Sequence, residues 1–256
     1  MAENQYGFPT EVLSLPSKGL LYPEDSPLRS GTIDVKYMTA KEEDILTSQN
    51  LITQGVVLDK LLESIIADRT IKFDDLLIGD KNALLVGTRI LGYGKEYRCT
   101  ITDPDTFEDV EQVIDLTTFQ NKSVDEKLYK NGNSFSFDLP NSKRVLEFKL
   151  LTHGDEKKIT EINKQYEKAK QITGIDNSLT NRLKYQILSV DGNTDQKFID
   201  NFVDNEFLAL DSRAFRKYRD DINPDVEMVF DYTSQTGNQH KVDVPIGVEF
   251  FWPAAI

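Results

Sequence analysis

Hydrophobic periods follow one another along this chain in an order that recurs in its second half, and that recurrence constrains the fold more than any single motif. Residues 32–38 place Ile33, Val35 and Tyr37 on one side, the period-two pattern of a half-buried strand. Thr39 follows as a helix N-cap with Glu42 three residues on, the spacing of a capping box, so a helix is expected from 40 to about 48. Val57, Leu58, Leu61, Leu62, Ile65 and Ile66 then recur at helical spacing, as do Ala83, Leu84, Gly87, Ile90 and Leu91 between Asp80 and Gly92. The period returns to two in a hairpin: Tyr97, Cys99 and Ile101, the turn Asp103-Pro104-Asp105-Thr106, then Gln112, Ile114 and Leu116.

At an offset of 113, Ile33, Val35, Met38, Thr39 and Glu42 meet Leu146, Phe148, Leu151, Thr152 and Asp155, and Tyr22 and Pro27 meet Phe135 and Pro140. At 122, Lys60, Leu61, Ile65 and Ile66 meet Arg182, Leu183, Ile187 and Leu188. At 131, Leu76, Leu77, Asp80, Ala83 and Leu84 meet Phe207, Leu208, Asp211, Ala214 and Phe215. The same offset carries the hairpin onto Met228, Phe230 and Tyr232, a turn at 234–238, and Val242, Val244 and Ile246. The offset grows between elements or where a helix lengthens, and insertions there are cheap because loop-closure entropy rises slowly with length. The pattern predicts an α+β fold of two similar tandem modules, each a strand, helices and a terminal β-hairpin. The boundaries read as an extended arm over 1–30, a first module over 31–119, a polar linker over 120–134, a second module over 135–247 and an aromatic tail over 248–256.

Composition narrows the function. One cysteine and two histidines fall short of the four nitrogen or sulfur ligands of a structural zinc site. A net charge of −13 repels phosphate backbones, so nucleic acid is not an expected partner. No apolar run approaches the roughly 20 residues of a membrane span, and Met1-Ala2-Glu3-Asn4-Gln5 is no secretory leader, which places the chain in a cytoplasm.

Motifs for chemistry are incomplete. Asp191-Gly192-Asn193-Thr194-Asp195 copies the start of an EF-hand loop, but Gln196 stands at the turn glycine and Phe202 at the bidentate carboxylate, leaving a polar turn. Gly92-Tyr93-Gly94 ends a helix instead of opening one, and Cys99 shares a strand face with Tyr97 and Ile101 as a small apolar residue. Neither His153 nor His240 lies near a serine or cysteine in a recognisable arrangement, so no catalytic, metal or cofactor residue is assigned. A hydrolase would require a convergent polar cleft.

Three segments are candidates for contact with other proteins, each with an intramolecular alternative. Pro9, Pro16, Pro23 and Pro27 disfavour helix in the arm, and its Leu13, Leu15 and Leu20 lie either across their own domain or on another chain. The helix expected over 155–172 carries Ile159, Ile162, Tyr166, Ala169 and Ile172 as a narrow stripe, either a core face or a seam for a helical or acidic partner. Residues 155–184 hold a net charge of +2 and leave −15 on the rest. In the tail, Phe250, Phe251 and the single tryptophan, Trp252, either fold back on the second hairpin or anchor a partner.

Leu15-Pro16-Ser17-Lys18-Gly19 with Tyr22, the Met38-Thr39-Ala40-Lys41-Glu42-Glu43 helix start, the Asp80 helix leading to a Gly94-containing hairpin, and Phe250-Phe251-Trp252-Pro253 together resemble the T4-type phage baseplate hub assembly proteins. The resemblance implies a non-enzymatic late protein that helps build the central hub of a contractile-tail baseplate. Its partners would be other hub subunits or the tape-measure protein, with oligomerisation open. It would work in the host cytoplasm during assembly, whether or not it remains in the virion baseplate. The alternative is a transient chaperone holding helical segments of the tape-measure protein. Members of that group often carry Cys-x-x-Cys in each hairpin turn, whereas the turns here read Asp103-Pro104-Asp105-Thr106 and Asp231-Tyr232-Thr233-Ser234. Metal ligation therefore does not carry over, and the hairpins are left to be held by their apolar faces alone.

Overall fold

A computed structural model describes residues 7–174 and 176–251, without the side chains of 167–173 and 248. The fold is α+β, with helices packed on small antiparallel sheets. In the first half β1 (Thr10–Ser14) pairs with β2 (Thr32–Lys36), and α1 (Ala40–Thr47), α2 (Gln49–Gln54), α3 (Val57–Ile65) and α4 (Ile78–Tyr93) follow. The half ends in a hairpin of β3 (Glu96–Thr102) and β4 (Asp109–Asp115). A two-residue strand, β5 (Gln120–Asn121), opens the connection to the second half.

There β6 (Phe135–Asp138) pairs with β7 (Val145–Phe148), followed by α5 (His153–Thr173) and α6 (Ser178–Gln186). β8 (Ile187–Val190) returns to β7 and completes a three-stranded sheet in the order β6-β7-β8. α7 (Gln196–Asn201) and α8 (Ala209–Ile222) precede β9 (Val226–Glu227), and β10 (Val229–Thr233) and β11 (Gln239–Asp243) form the closing hairpin. In the first half a single bridge from Val35 to Ile66 stands where β8 meets β7 in the second.

The helix starts follow from local chemistry. Glu42 Oε2 accepts from Thr39 N (3.0 Å) and Thr39 Oγ1 (2.7 Å), while Lys36 reaches Oε1 at 2.6 Å. One hundred and thirteen residues on, Asp155 Oδ2 accepts from Thr152 N at 3.1 Å, Asp155 N donates back to Thr152 Oγ1 at 3.2 Å, and Lys149 reaches Oδ1 at 2.9 Å. Each strand thus delivers a lysine, a threonine cap and an acidic residue to one point, and these bonds satisfy N–H groups that a helix start leaves orphaned.

Both halves feed one hydrophobic core, which runs from Leu15, Ile33, Leu61 and Leu84 through Phe135, Phe148 and Phe215 to Phe251. Phe148 and Phe215 meet edge to face with centroids 4.8 Å apart, and Phe137 stacks on Tyr218 at 4.7 Å. The halves are also joined by backbone: His153 N donates to Leu76 O at 2.7 Å, and β5 pairs with β9. Gly79 in the first turn of α4 is required by that junction, since a Cβ there would lie 1.8 Å from Pro224 O.

Two expected boundaries give way. The described part of 1–30 is no extended arm: Thr10–Ser14 is a paired strand, and 15–31 folds into turns and a short 3₁₀ helix, Pro27–Ser30, whose N-cap Ser26 accepts from Leu28 N. Pro27 suits the first position of that helix, where its missing N–H costs nothing. Nor does 120–134 separate two bodies, because Tyr129 is buried and its hydroxyl donates to Ile222 O at 2.7 Å.

Candidate interaction surfaces

The β1–β2 and β6–β7 connections, 15–31 and 139–144, differ in length but are held the same way. Asp80, in the first turn of α4, accepts at Oδ1 from Ser17 N (2.9 Å) and at Oδ2 from Ser17 Oγ (2.6 Å) and Tyr22 Oη (2.6 Å). Tyr22 Oη in turn accepts from Leu77 N at 2.9 Å. Asp211, in the first turn of α8, accepts at Oδ1 from Asn141 N and Nδ2, both at 2.8 Å, and at Oδ2 from Ser142 N at 2.9 Å. Burial pushes the Asp80 carboxyl up against the pull of Ser17 and Tyr22. Burial would also raise Asp211, but the bonds from Asn141 and Ser142 win and hold it at about 2. Lys18 and Lys143 in the two loops both adopt positive φ, 51° and 61°. Leu15-Pro16-Ser17-Lys18 therefore stands where Leu139-Pro140-Asn141-Ser142-Lys143 stands. The alignment of Tyr22 with Phe135 and Pro27 with Pro140 fails because the first loop carries the extra residues.

These anchors turn the N-terminal leucines inward. Leu15 is buried, and Leu13 and Leu20 are half-buried against the same core, so none is displayed for another chain. The C-terminal aromatics behave likewise. Phe250 and Phe251 are each 0% exposed, and Phe250 meets Tyr97 edge to face at 4.9 Å. Arg89, buried in α4, donates from Nε to Phe250 O (2.7 Å), from Nη1 to Gly94 O (2.8 Å) and from Nη2 to Glu96 O (3.0 Å). That guanidinium caps the end of α4 and pins the tail to the first hairpin's base, not to the second hairpin. Trp252 lies outside the described residues.

On α5 the stripe divides. Ile159 is buried, whereas Ile162 is half-buried and Tyr166 is 48% exposed. Ile162 and Tyr166 line a groove of about 650 Å³ with Leu188, edged by Lys149 and Lys184. The side chain of Ala169 lies outside the described residues. At the other end of α5, His153 Nδ1 lies 3.1 Å from Lys81 Nζ, and Nε2 lies 3.3 Å from Asp59 Oδ2. Lys81 also pairs with Asp59 at 2.6 Å, and the His153 ring packs on Phe73 with centroids 4.6 Å apart. Burial alone would raise Asp59, but His153 and Lys81 hold it at about 2. This cluster edges a cavity of about 460 Å³ lined further by Asp74, Lys157 and Arg69, with no hydroxyl or thiol among its lining side chains. It joins α3 and α4 of one half to α5 of the other. Among the described residues no group of three or more His, Cys, Asp or Glu side chains is placed to hold a metal ion.

The two hairpin tips meet. Asp103 Oδ2 accepts from Tyr232 Oη (2.7 Å) and Gln235 N (3.0 Å), while Oδ1 accepts from Asp105 N and Thr106 N. Asp105 Oδ2 accepts from Ser234 Oγ, Thr236 Oγ1 and Asn238 Nδ2. His240 Nε2 lies 3.1 Å from Asp105 Oδ1. Hydrogen bonds therefore clamp turn to turn, so the hairpins are not held by apolar faces alone. Burial would raise Asp103, but the Tyr232 and backbone donors hold it at about 2. The bonds from Ser234, Thr236 and Asn238 push Asp105 lower still. Sequence reading missed the clamp, although the signal was present: aspartate at both positions of one turn and hydroxyl and amide donors in the other.

By fold this is an α+β protein, whose buried carboxylates each fix a loop, a turn or a helix start. The chain matches the family described as T4 bacteriophage base plate protein over residues 15–252, and it belongs to that family. No curated protein and no solved structure matches it. Among the described residues no helix is long and apolar enough to cross a membrane.

Proposed function

We propose that this baseplate protein acts without catalysis in assembling the central hub of the tail baseplate, through contacts with other hub subunits or the tape-measure protein, and that its halves are copies of one module. The match over 15–252 carries the reading, because it spans both halves and both hairpins. The paired anchors support the duplication: Lys36, Thr39 and Glu42 against Lys149, Thr152 and Asp155, and Asp80 against Asp211. The ionisable cluster at His153 has no hydroxyl or thiol lining its cavity, and its lysine, histidine and aspartate are engaged with one another as an ion-pair joint between the halves. With Leu15, Phe250 and Phe251 spent on the core, contact falls to the hairpin tips and the groove beside Ile162 and Tyr166.

An early stop codon in the gene tests the assembly role. Infected cells should then yield no complete baseplates on sucrose gradients, and supplying the chain in trans should restore them. Normal baseplates without the chain would refute it. The groove also suits a chaperone that holds an amphipathic helix and departs; a chain required for assembly but missing from finished particles would favour that second reading.

A further inference from the structure

Phe107 sits at the tip of the first hairpin with its side chain 80% exposed and its backbone left-handed, at φ +59°. A bulky residue pays for that conformation with a clash that glycine avoids. The matching place in the second hairpin shows what the turn itself asks for. Gly237, at φ +90°, precedes Asn238, whose carbonyl accepts from Ser234 N; Phe107 precedes Glu108, whose carbonyl accepts from Asp103 N. Turn geometry is thus satisfied by glycine, and nothing in the turn itself calls for a phenyl ring.

The backbone that carries the ring is held in place. Phe107 N donates to Asp103 O at 2.9 Å, and Asp103 is the residue locked to Tyr232 and Gln235 of the other hairpin. A backbone already ordered loses little freedom on docking, which leaves the side-chain torsions as the main cost. Below it the outward face is acidic: Glu108 follows Phe107, and Asp109, Glu111 and Glu96 are exposed on the strands, with Arg98 as the counter-charge among them. Lys95 is engaged with Asp115 at 2.9 Å. A second copy of the chain would bring a like-charged strip to this one.

We infer that Phe107 is a docking anchor that inserts into an apolar pocket with a basic rim on a different baseplate protein. The inference rests on the assembly role proposed above and names the surface through which it acts. The ring supplies the buried contact, and the acidic strip supplies orientation and association rate.

Phage carrying Phe107→Gly, Phe107→Trp, or Glu108→Gln with Asp109→Asn and Glu111→Gln test it, alongside the stop-codon phage. Baseplates are counted by gradient sedimentation, and each purified chain is melted by calorimetry. Phe107→Gly should melt at or above the wild-type temperature yet reduce complete baseplates by about tenfold or more. Phe107→Trp should restore yield, and neutralising the strip should slow assembly severalfold. Normal yield from Phe107→Gly beside lost yield from the stop codon removes the anchor and leaves the assembly role. Unchanged yield from the stop codon removes both. A lowered melting temperature in Phe107→Gly would make the ring a structural element, and undiminished assembly without the strip would exclude a basic rim. A dimer of the purified chain that Phe107→Gly abolishes would give the anchor to a second copy and overturn the inference.

Discussion

In each half a fully buried carboxylate near the start of a long helix holds the loop that closes the sheet. Asp80 accepts from three donors that the fold shields from water, so removing it leaves the Ser17 N–H and the Ser17 and Tyr22 hydroxyls without an acceptor. Asp80→Ala should cost about 1–3 kcal/mol in urea unfolding, the penalty of unsatisfied buried donors. An unchanged midpoint would show that those groups find water instead. The clamp predicts a pH dependence. Asp103 lies at about 2 in the fold against 3.8 for a free side chain, so its contribution is complete above about pH 4 and is lost as pH falls toward 2. Asp103→Asn should lower stability at neutral pH and narrow its gap to the wild type in acid. A gap that stays constant from pH 7 to 2 would contradict the assignment.

At the scale of elements, the described part of the tail is spent on the core, while the α5 stripe divides between buried Ile159 and half-exposed Tyr166. Phe250→Ala should destabilise the fold by about 3–5 kcal/mol, since it empties a fully enclosed aromatic site. Tyr166→Ala should change stability by no more than about 0.5 kcal/mol, because that ring stands half in solvent. Equal effects on the two melting curves would undo this division. Periodicity revealed β2, α1, α3, α4, α5 and both hairpins to within a few residues, because a half-buried element writes its buried face into the sequence, but it carried Ile187 and Leu188 as the end of a helix where the structure has β8. The Thr39–Glu42 box was legible for the same local reason: its partners are three residues apart. Long-range polar contacts leave no such trace. Asp80 reads as a helix start until Ser17 is found beside it, and nothing local marks Arg89 as the donor to the distant Phe250 carbonyl. Aromatic density in the tail announced burial without saying against what, and the proline-rich start hid a strand because its partner lies past a seventeen-residue loop at 15–31.

Across the whole molecule one core joins both halves, and the backbone at Leu76 and His153 reinforces it. Unfolding should therefore be a single cooperative transition, with far- and near-ultraviolet circular dichroism superimposing; two separated transitions would mean halves that fold alone. A shared core fixes the two hairpins relative to each other, and their clamped tips project as one rigid feature. Such a shape suits a part that must hold a set geometry among neighbours in a baseplate. The most direct test is quantitative mass spectrometry of purified, intact baseplates against an internal standard of this chain. The account predicts the chain at a fixed whole-number ratio to the other baseplate proteins in every preparation. Its absence, or an amount that washes away with salt and varies between preparations, would contradict a structural role.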